Sequence, residues 1–371
     1  MTNPEHTPAK YHFKAYMLLF LIPSVQIGVG IFGFQRYIYK ESGHDAWISV
    51  ILAGIVTHIV MWMMITTMKK NNDDDLYDIH CTLFGKWIGN ALSVVIMLYF
   101  ITNMTAIVRT YIEAVQSWIF PDFPTWLLGL ILVVLMVYGS LGGIRVVLQL
   151  SFISFIMIAA TTILFYYPLQ YADWRRLLPV YDTTVQHLVA GAMKMGFTIA
   201  GFEVIFFLYT LVKDKDKALR YAQGSILFSN LLYLIIMVIS IVYFSENQMP
   251  KTIWGSINLL KIIKYPFLER IEFIAIPFWM FVVLPGFMML AWILVRGTTR
   301  IFKWNQKLTI YGIAAVVLIA STCFQNRRQI DQLNDYIGQY SVVISYYYPC
   351  LLFIMTYVRQ WWKDHKGSKE S

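Results

Sequence analysis

The sequence predicts an all-α integral membrane protein of about ten transmembrane helices, built as two five-helix halves of opposite topology. Three observations carry the prediction. The composition is apolar, ten apolar runs approach or exceed membrane-spanning length, and small residues interrupt two of those runs at corresponding positions. Of 371 residues, 58% are hydrophobic and 14% are charged, and the mean hydropathy is positive. The charged share is about half that of a soluble domain. A water-soluble fold of this length cannot cover so much apolar surface, whereas lipid tails accept apolar side chains on the outside. The hydropathy excludes a soluble enzyme. HExxH, GxSxG and Walker signatures are absent as well, so no catalytic residue, cofactor or metal is expected.

A helix needs roughly 20 apolar residues to cross the hydrocarbon core. Such runs cover 15–37, 45–68, 88–118, 125–142, 144–167, 184–211, 218–244, 271–299, 308–324 and 339–360. Residues 1–13 are polar, with Pro4 and Pro8. The run from Tyr16 to Tyr37 is too long for a signal core and lacks an A-x-A site, so it reads as a retained first helix. Three stretches are not spans. Residues 69–86 hold Lys69, Lys70 and Asp73-Asp74-Asp75, then an amphipathic piece ending in Phe84-Gly85-Lys86. Residues 168–183 hold Pro168, Arg175, Arg176 and Pro179. In 245–270, Lys251, Lys261, Lys264 and Arg270 alternate with apolar residues such as Leu259, Leu260, Ile262 and Ile263, which predicts an interfacial helix. The whole chain, 1–371, is expected to form one transmembrane domain, with 14–168 as its first repeat and 184–360 as its second.

The net charge of +9 does not point to nucleic acid, because the basic residues sit in short loops between apolar runs. There they orient helices in a membrane. With the N-terminus in the cytoplasm, eighteen lysines and arginines fall inside, from Lys10 and Lys14 to Lys366 and Lys369. Ten fall outside, from Arg36 and Lys40 to Arg327 and Arg328. Both termini are therefore expected in the cytoplasm. Tyr166-Tyr167, Tyr346-Tyr347-Tyr348 and Trp361-Trp362 stand near span ends, as an aromatic belt or as ordinary packing. Cys81, Cys323 and Cys350 are far apart and make neither a metal motif nor a disulfide framework.

The first run contains Gln26-Ile27-Gly28-Val29-Gly30-Ile31-Phe32-Gly33. Each glycine costs a helix interior about 1 kcal/mol relative to alanine. Unwound backbone at mid-membrane depth is tolerated only where protein or a cavity satisfies it. The N–H groups so freed can bind an anion such as a carboxylate. The spacing is also that of the dinucleotide fingerprint, but no preceding strand or βαβ unit accompanies it. Close helix packing through small residues is a third reading. The sixth run contains Gly196-Phe197-Thr198-Ile199-Ala200-Gly201-Phe202-Glu203. The two interruptions lie about 170 residues apart, with five spans in each half. An odd number per half makes the second half enter from the opposite side, as in an inverted-topology repeat with its site at the midplane.

Gly28-Val29-Gly30-Ile31-Phe32-Gly33 in span one and Ala200-Gly201-Phe202-Glu203 in span six resemble the amino acid–polyamine–organocation permease superfamily. That resemblance implies a LeuT-type five-plus-five inverted repeat. Within the superfamily, the chain is most similar to the B subunits of bacterial endospore germinant receptors. Phe84-Gly85-Lys86-Trp87-Ile88-Gly89, Arg109-Thr110-Tyr111-Ile112-Glu113 and the compact length carry that similarity. The resemblance covers essentially the whole chain. It implies a multi-pass protein of the spore inner membrane, working with A and C subunits and recognising a small-molecule germinant, commonly an amino acid.

Ionisable groups inside a bilayer are functional candidates. Arg109 and Glu113 share a face of span three, either as an ion pair near the outer interface or as lining charges above the site. Lys194 stands about 15 Å into span six. It is expected to face the bundle interior and to pair with Glu203 or Glu113, structurally or in coupling. Glu203 can hold the break open by accepting backbone N–H bonds, or form part of an ion path. Tyr99, Thr102 and Asn103 offer hydrogen-bonding groups on span three, which the permease fold places against the site. Asn103 can equally bind a neighbouring helix. Pro277 and Pro285 predict a kinked span eight, and His58 reads as a satisfied histidine of the bundle. The ligand's carboxylate would meet the N–H groups of Gly28, Val29, Gly30 and Ile31. Its ammonium would meet carbonyls of Phe197, Thr198, Ile199 and Ala200, and Val29, Phe197 and Phe202 would shape selectivity beside Gly201. An amino acid permease and a ligand-gated ion or water conduit are the rival readings.

Overall fold

The structure, a computed structural model, describes residues 12–263 and 270–367, the side chains of 366 and 367 excepted. Lys10, Lys264 and Lys369 of the charge tally lie outside the described residues. Within them the regular structure is helical. The exception is one bridge, in which the Phe13 N–H donates to the Leu211 carbonyl at 3.0 Å and the Lys213 N–H to the Phe13 carbonyl at 2.9 Å.

Span one is divided into α1 (Leu18–Gln26), a 3-10 turn (Val29–Phe32) and α2 (Phe34–Ser42). Spans two to five are α3 (Ala46–Lys70), α4 (Leu76–Trp118), α5 (Thr125–Leu141) and α6 (Ile144–Leu164). Span six is again divided, into α7 (Val185–Lys194), α8 (Gly196–Ile199), a 3-10 turn (Phe202–Val204) and α9 (Ile205–Leu208). Span seven is α10 (Lys215–Tyr243), and α11 (Gly255–Leu260) precedes span eight, α12 (Glu272–Phe302). Span nine is α13 (Gln306–Cys323). Span ten runs through α14 (Arg327–Val342), a π-turn and α15 (Tyr348–Gly367). Helical segments thus stand where the ten apolar runs predict spans, and the pair Val185–Lys194 and Gly196–Leu211 is bent by 48°.

The broken spans lie in the middle because their neighbours are apolar on nearly all sides. α12 packs against α1, α4, α5, α6 and α13, and most of its length is buried. A helix that is hydrophobic all round belongs in an interior. α1 also packs against α6 and α10, so the first interruption is enclosed by protein.

Three features add to the expectations or correct them. Gly85 adopts φ +79 inside α4, so the amphipathic piece from Leu76 to Phe84 is a separate arm folded across the start of span three. A Cβ on Gly89 would stand 2.6 Å from the His80 backbone, so only glycine permits that crossing. Thr102 is exposed and bonds the Leu98 carbonyl within its own helix at 2.9 Å, so it faces away from the site. In 245–270, the described part holds a six-residue helix, α11, with Gly255, Ser256, Ile257, Leu259 and Leu260 buried. It docks on the broken first span and on α10. Pro277 and Pro285 both sit within one helix, α12. His58 pairs with Gln223, whose amide donates to the His58 carbonyl at 2.9 Å.

The face that carries the chain ends is closed by ions between the two halves. Lys215 meets Asp73 at 2.8 Å, Arg296 meets Asp75 at 2.8 Å, and Arg300 bridges Asp75 at 3.2 Å and Asp78. Asp74 stands among these carboxylates, half-buried and without a partner of its own in the network. Burial, reinforced by Asp78 and Asp75 and opposed by Arg300, pushes its carboxyl up to about 6 from an ordinary 3.8. A folded-state value above the unfolded one penalises the native protein as pH rises through 3.8, in full only above about 6. Asp74→Asn is therefore expected to raise the thermal midpoint of the solubilised protein at pH 7.5. The gain should shrink to about half at pH 5. A gain that is flat or larger at pH 5 would show that Asp74 is not strained by its neighbours.

Candidate functional site

The site begins with two places where helix geometry stops. α1 ends at Gln26, Ile27 turns to φ −90, ψ 86, and Gly28 to φ −114, ψ −143 before the 3-10 turn starts. The first N–H groups of that turn, on Val29 and Gly30, have no partner within it. In span six, α8 ends at Ala200 with ψ 162, and Gly201 takes φ +112, which L side chains rarely adopt. The breaks touch. A Cβ on Gly30 would stand 3.0 Å from Thr198 Cα, and one on Gly201 would stand 2.9 Å from the Val25 carbonyl.

Side chains satisfy most of the freed backbone. Gln26 Nε2 donates to the Ile199 carbonyl at 2.9 Å, joining the breaks directly. Tyr233 Oη on α10 lies 3.0 Å from the Gln26 carbonyl and 2.9 Å from the Thr198 carbonyl. Trp279 Nε1 donates to Gly28 at 3.2 Å, and Ser256 Oγ on α11 donates to Ile31 at 2.6 Å. Glu203 accepts the Gly201 N–H at 2.7 Å and the Tyr99 hydroxyl at 3.1 Å. Tyr99 is also 3.0 Å from Ser341 Oγ and 3.5 Å from Asn103 Nδ2.

Two cavities meet at the breaks. The larger, about 430 Å³, lies on the side remote from the chain ends, between α2, α7, α14 and the segment before α11. Val29, Gly30, Phe197, Thr198 and Lys194 line it, with Tyr37, Trp254, Arg327, Asp335 and Gln339 among its other walls. The smaller, about 30 Å³, lies between the breaks and is lined by Gln26, Gly28, Asn103, Ala200, Gly201 and Glu203, among others. Val29, Gly30, Phe197 and Thr198 line both and form the partition.

Of the residues singled out from sequence, Ile31, Tyr99, Phe202, Arg109 and Glu113 line neither of these two cavities. Ile31 and Phe202 turn into buried packing. Tyr99 acts at one remove, through Glu203. Lys194 pairs with neither Glu203 nor Glu113. It ends α7 beside the larger cavity, half-exposed, with Glu41 at 3.8 Å. Arg109 and Glu113 do not form the ion pair that their spacing suggests. Arg109 Nε donates to the Phe324 carbonyl at 2.6 Å, and Glu113 meets Arg327 at 2.6 Å. Arg327 also meets Asp331 at 2.6 Å, and Asp331 meets Arg36 at 3.1 Å. This network stands at the remote end of the cavity. Two carbonyls expected for an ammonium, Thr198 and Ile199, already accept a hydrogen, though a carbonyl has a second lone pair. Sequence reasoning missed Gln26, Tyr233 and Trp279, of which only Gln26, a polar residue beside the glycines, carried a signal.

Together, two interrupted spans meeting at a central cavity define a LeuT-type five-plus-five membrane bundle, and solved structures agree. A sodium-coupled sialic acid symporter in a substrate-bound outward-open state matches with a TM-score of 0.65 at 12% identity, covering 90% of this chain and 79% of that one. The protein MhsT in complex with L-phenylalanine matches with a TM-score of 0.66 at 13% identity, covering 89% and 86%. A family profile described as spore germination protein (Spore_permease) matches residues 12–330. Spore germination protein GerQB of Bacillus cereus is 33% identical over 353 residues, 95% of this chain and 98% of that protein. Spore germination protein A2 of Bacillus subtilis (strain 168) is 23% identical over 362 residues, 96% and 98%. The chain belongs to the spore germination protein family and is a multi-pass membrane protein.

Two glycines of the breaks, Gly28 and Gly201, should respond differently to a methyl group. Nothing lies within 4 Å of a Cβ on Gly28, so Gly28→Ala should keep the wild-type thermal midpoint. Gly201→Ala combines φ +112 with a backbone clash and should lose about 1–3 kcal/mol. Equal midpoints for the two variants would contradict this backbone geometry.

Proposed function

We propose that this chain is the ligand-recognising B-type subunit of a spore germinant receptor, binding a small nutrient, an amino acid by first expectation, between spans one and six. The observation that carries the reading is the 430 Å³ cavity walled by both breaks. That volume falls in the range of small-molecule sites. Aromatic and apolar residues such as Phe197, Met193 and Trp254 offer a surface for a side chain. The N–H groups of Val29 and Gly30 would receive a carboxylate. The carbonyls of the 197–200 stretch would receive an ammonium. Ligand binding would favour one state of the bundle, through a difference in affinity between states, and A and C subunits in the inner spore membrane would read that state. The excess of basic residues in one set of loops supports a cytoplasmic position for both termini.

A second reading, an amino acid permease, is favoured by the likeness to substrate-bound transporters. Purified protein in liposomes separates the two. Accumulation of labelled amino acid against a gradient supports the permease. Binding without uptake, in a complex with A and C partners, supports the receptor.

Gly30→Val tests the placement. Its side chain would press on Thr198 at the cavity floor, and overpacking of this kind costs about 1–3 kcal/mol. In spores carrying the variant at normal membrane abundance, the half-maximal germinant concentration should rise about 10- to 100-fold. Unchanged sensitivity would move the ligand elsewhere.

A further inference from the structure

We propose that residues 166–185, which join span five to the start of span six, form a lipid anchor lying in the headgroup layer of the bilayer on the side remote from the chain ends. Six large side chains of this connection, Tyr166, Tyr171, Trp174, Leu178, Val180 and Tyr181, are each more than half exposed. The inference concerns the outer surface of the bundle and does not depend on the nutrient reading.

The first support is position. On α10, Leu227, Leu231 and Ile235 are exposed and stand four residues apart, which marks the face turned to lipid. At 3.6 residues per turn, Val238 and Val242 continue that face. Yet Val242 is fully buried and Val238 half-buried. The connection lies over them. Its 3-10 turns, Tyr167–Tyr171 and Trp174–Leu177, pack on α10, and the Asp173 N–H donates to the Val242 carbonyl at 2.9 Å. The connection is thus laid on the lipid-facing side of span seven, at the level where that span ends.

The second support is that this place is fixed. Arg176 donates to the Tyr243 carbonyl at 2.5 Å, and its own carbonyl lies 3.0 Å from His44 Nδ1. Asp45, buried at the start of α3, accepts the N–H groups of Tyr181, Asp182 and Thr183 at 2.8, 2.7 and 3.0 Å. Tyr181 takes φ +63, a conformation uncommon for residues other than glycine. The fold therefore holds the backbone against the ends of spans two and seven while the apolar side chains stay outside.

The third support is chemistry. Tyrosine and tryptophan suit headgroup depth, where one edge of the ring is apolar and the other wet. The charged residues of the connection, Asp173, Arg175, Arg176 and Asp182, sum to zero, and Arg175 is paired with Asp173 at 3.0 Å. The attraction is therefore to the apolar–polar boundary and not to anionic headgroups. A protein partner could cover these side chains only by displacing lipid from a face that α10 turns to lipid. The anchor runs directly into α7, capped by Thr184, whose Ala190, Met193 and Lys194 line the larger cavity.

The test uses the purified full chain in lipid nanodiscs, with Cys81, Cys323 and Cys350 replaced by alanine. Nitroxide labels are placed one at a time through Trp174→Cys, Leu178→Cys and Tyr181→Cys, so that a single disturbed site does not decide the result. Leu231→Cys gives the hydrocarbon reference and Asp364→Cys the aqueous one. The ratio of oxygen to nickel-chelate accessibility should fall between the two references at the three positions. It should not shift when phosphatidylcholine is partly replaced by phosphatidylglycerol. A ratio equal to that of Asp364→Cys would place the connection in water. A rise that needs phosphatidylglycerol would make the contact one of charge, and low access to both reagents would make it a protein contact. Each of these three results would overturn the proposal.

Discussion

Every peptide group left unpaired in the middle of a bilayer must find a partner within the protein. In this chain the two interrupted spans are each other's partners. Gln26, the last residue of α1, reaches across to Ile199 in span six. Tyr233 then places one hydroxyl between a carbonyl of each span. Neither break is stable without the other, because each supplies or shares the hydrogens that the other lacks. The enclosing helices follow from the same constraint. α10 must be central to bring Tyr233 to the breaks, and α12 must be central to bring Trp279 to Gly28. The cavity is a consequence as well, since helices that bend at matched points leave space beside the bend.

What was legible in the sequence follows from how local each signal is. Glycine clusters inside an apolar run are local, and both breaks were visible from Gly28-Val29-Gly30 and Ala200-Gly201. The backbone angles at those positions are what such residues permit. The partners of the breaks were hidden. Tyr233 stands in an apolar run, where nothing separates it from an aromatic residue facing lipid. The spacing of Arg109 and Glu113 is a real helical spacing, yet Glu113 is held by Arg327 from the other half of the chain, which no local pattern reveals. Lys194 was placed by counting helical rise into the membrane, but its side chain opens onto a cavity, so depth does not imply burial. In 245–270 the alternation of charged and apolar residues was genuine. Periodicity shows that a face is apolar, and cannot show whether lipid or the broken first span covers it.

The ions add a constraint that the breaks alone do not impose. Among the described residues, every ion pair separated by more than four positions joins the part of the chain before residue 168 to the part after 184. At the remote end these are Arg36 with Asp331, Glu113 with Arg327, and Glu41 with Lys194. At the chain-end face they are Asp73 with Lys215, and Asp75 and Asp78 with Arg296 and Arg300. Apolar packing between the halves is non-directional and survives small rotations, whereas charge pairs need close geometry. A rotation of one half against the other, pivoting on the Gln26 and Tyr233 contacts at the centre, would therefore have to displace the ion pairs at both ends. The larger cavity is walled by Gly30 and Thr198 at the breaks and by Arg327 of the remote network, so a molecule bound there would touch both the breaks and the ions that join the halves.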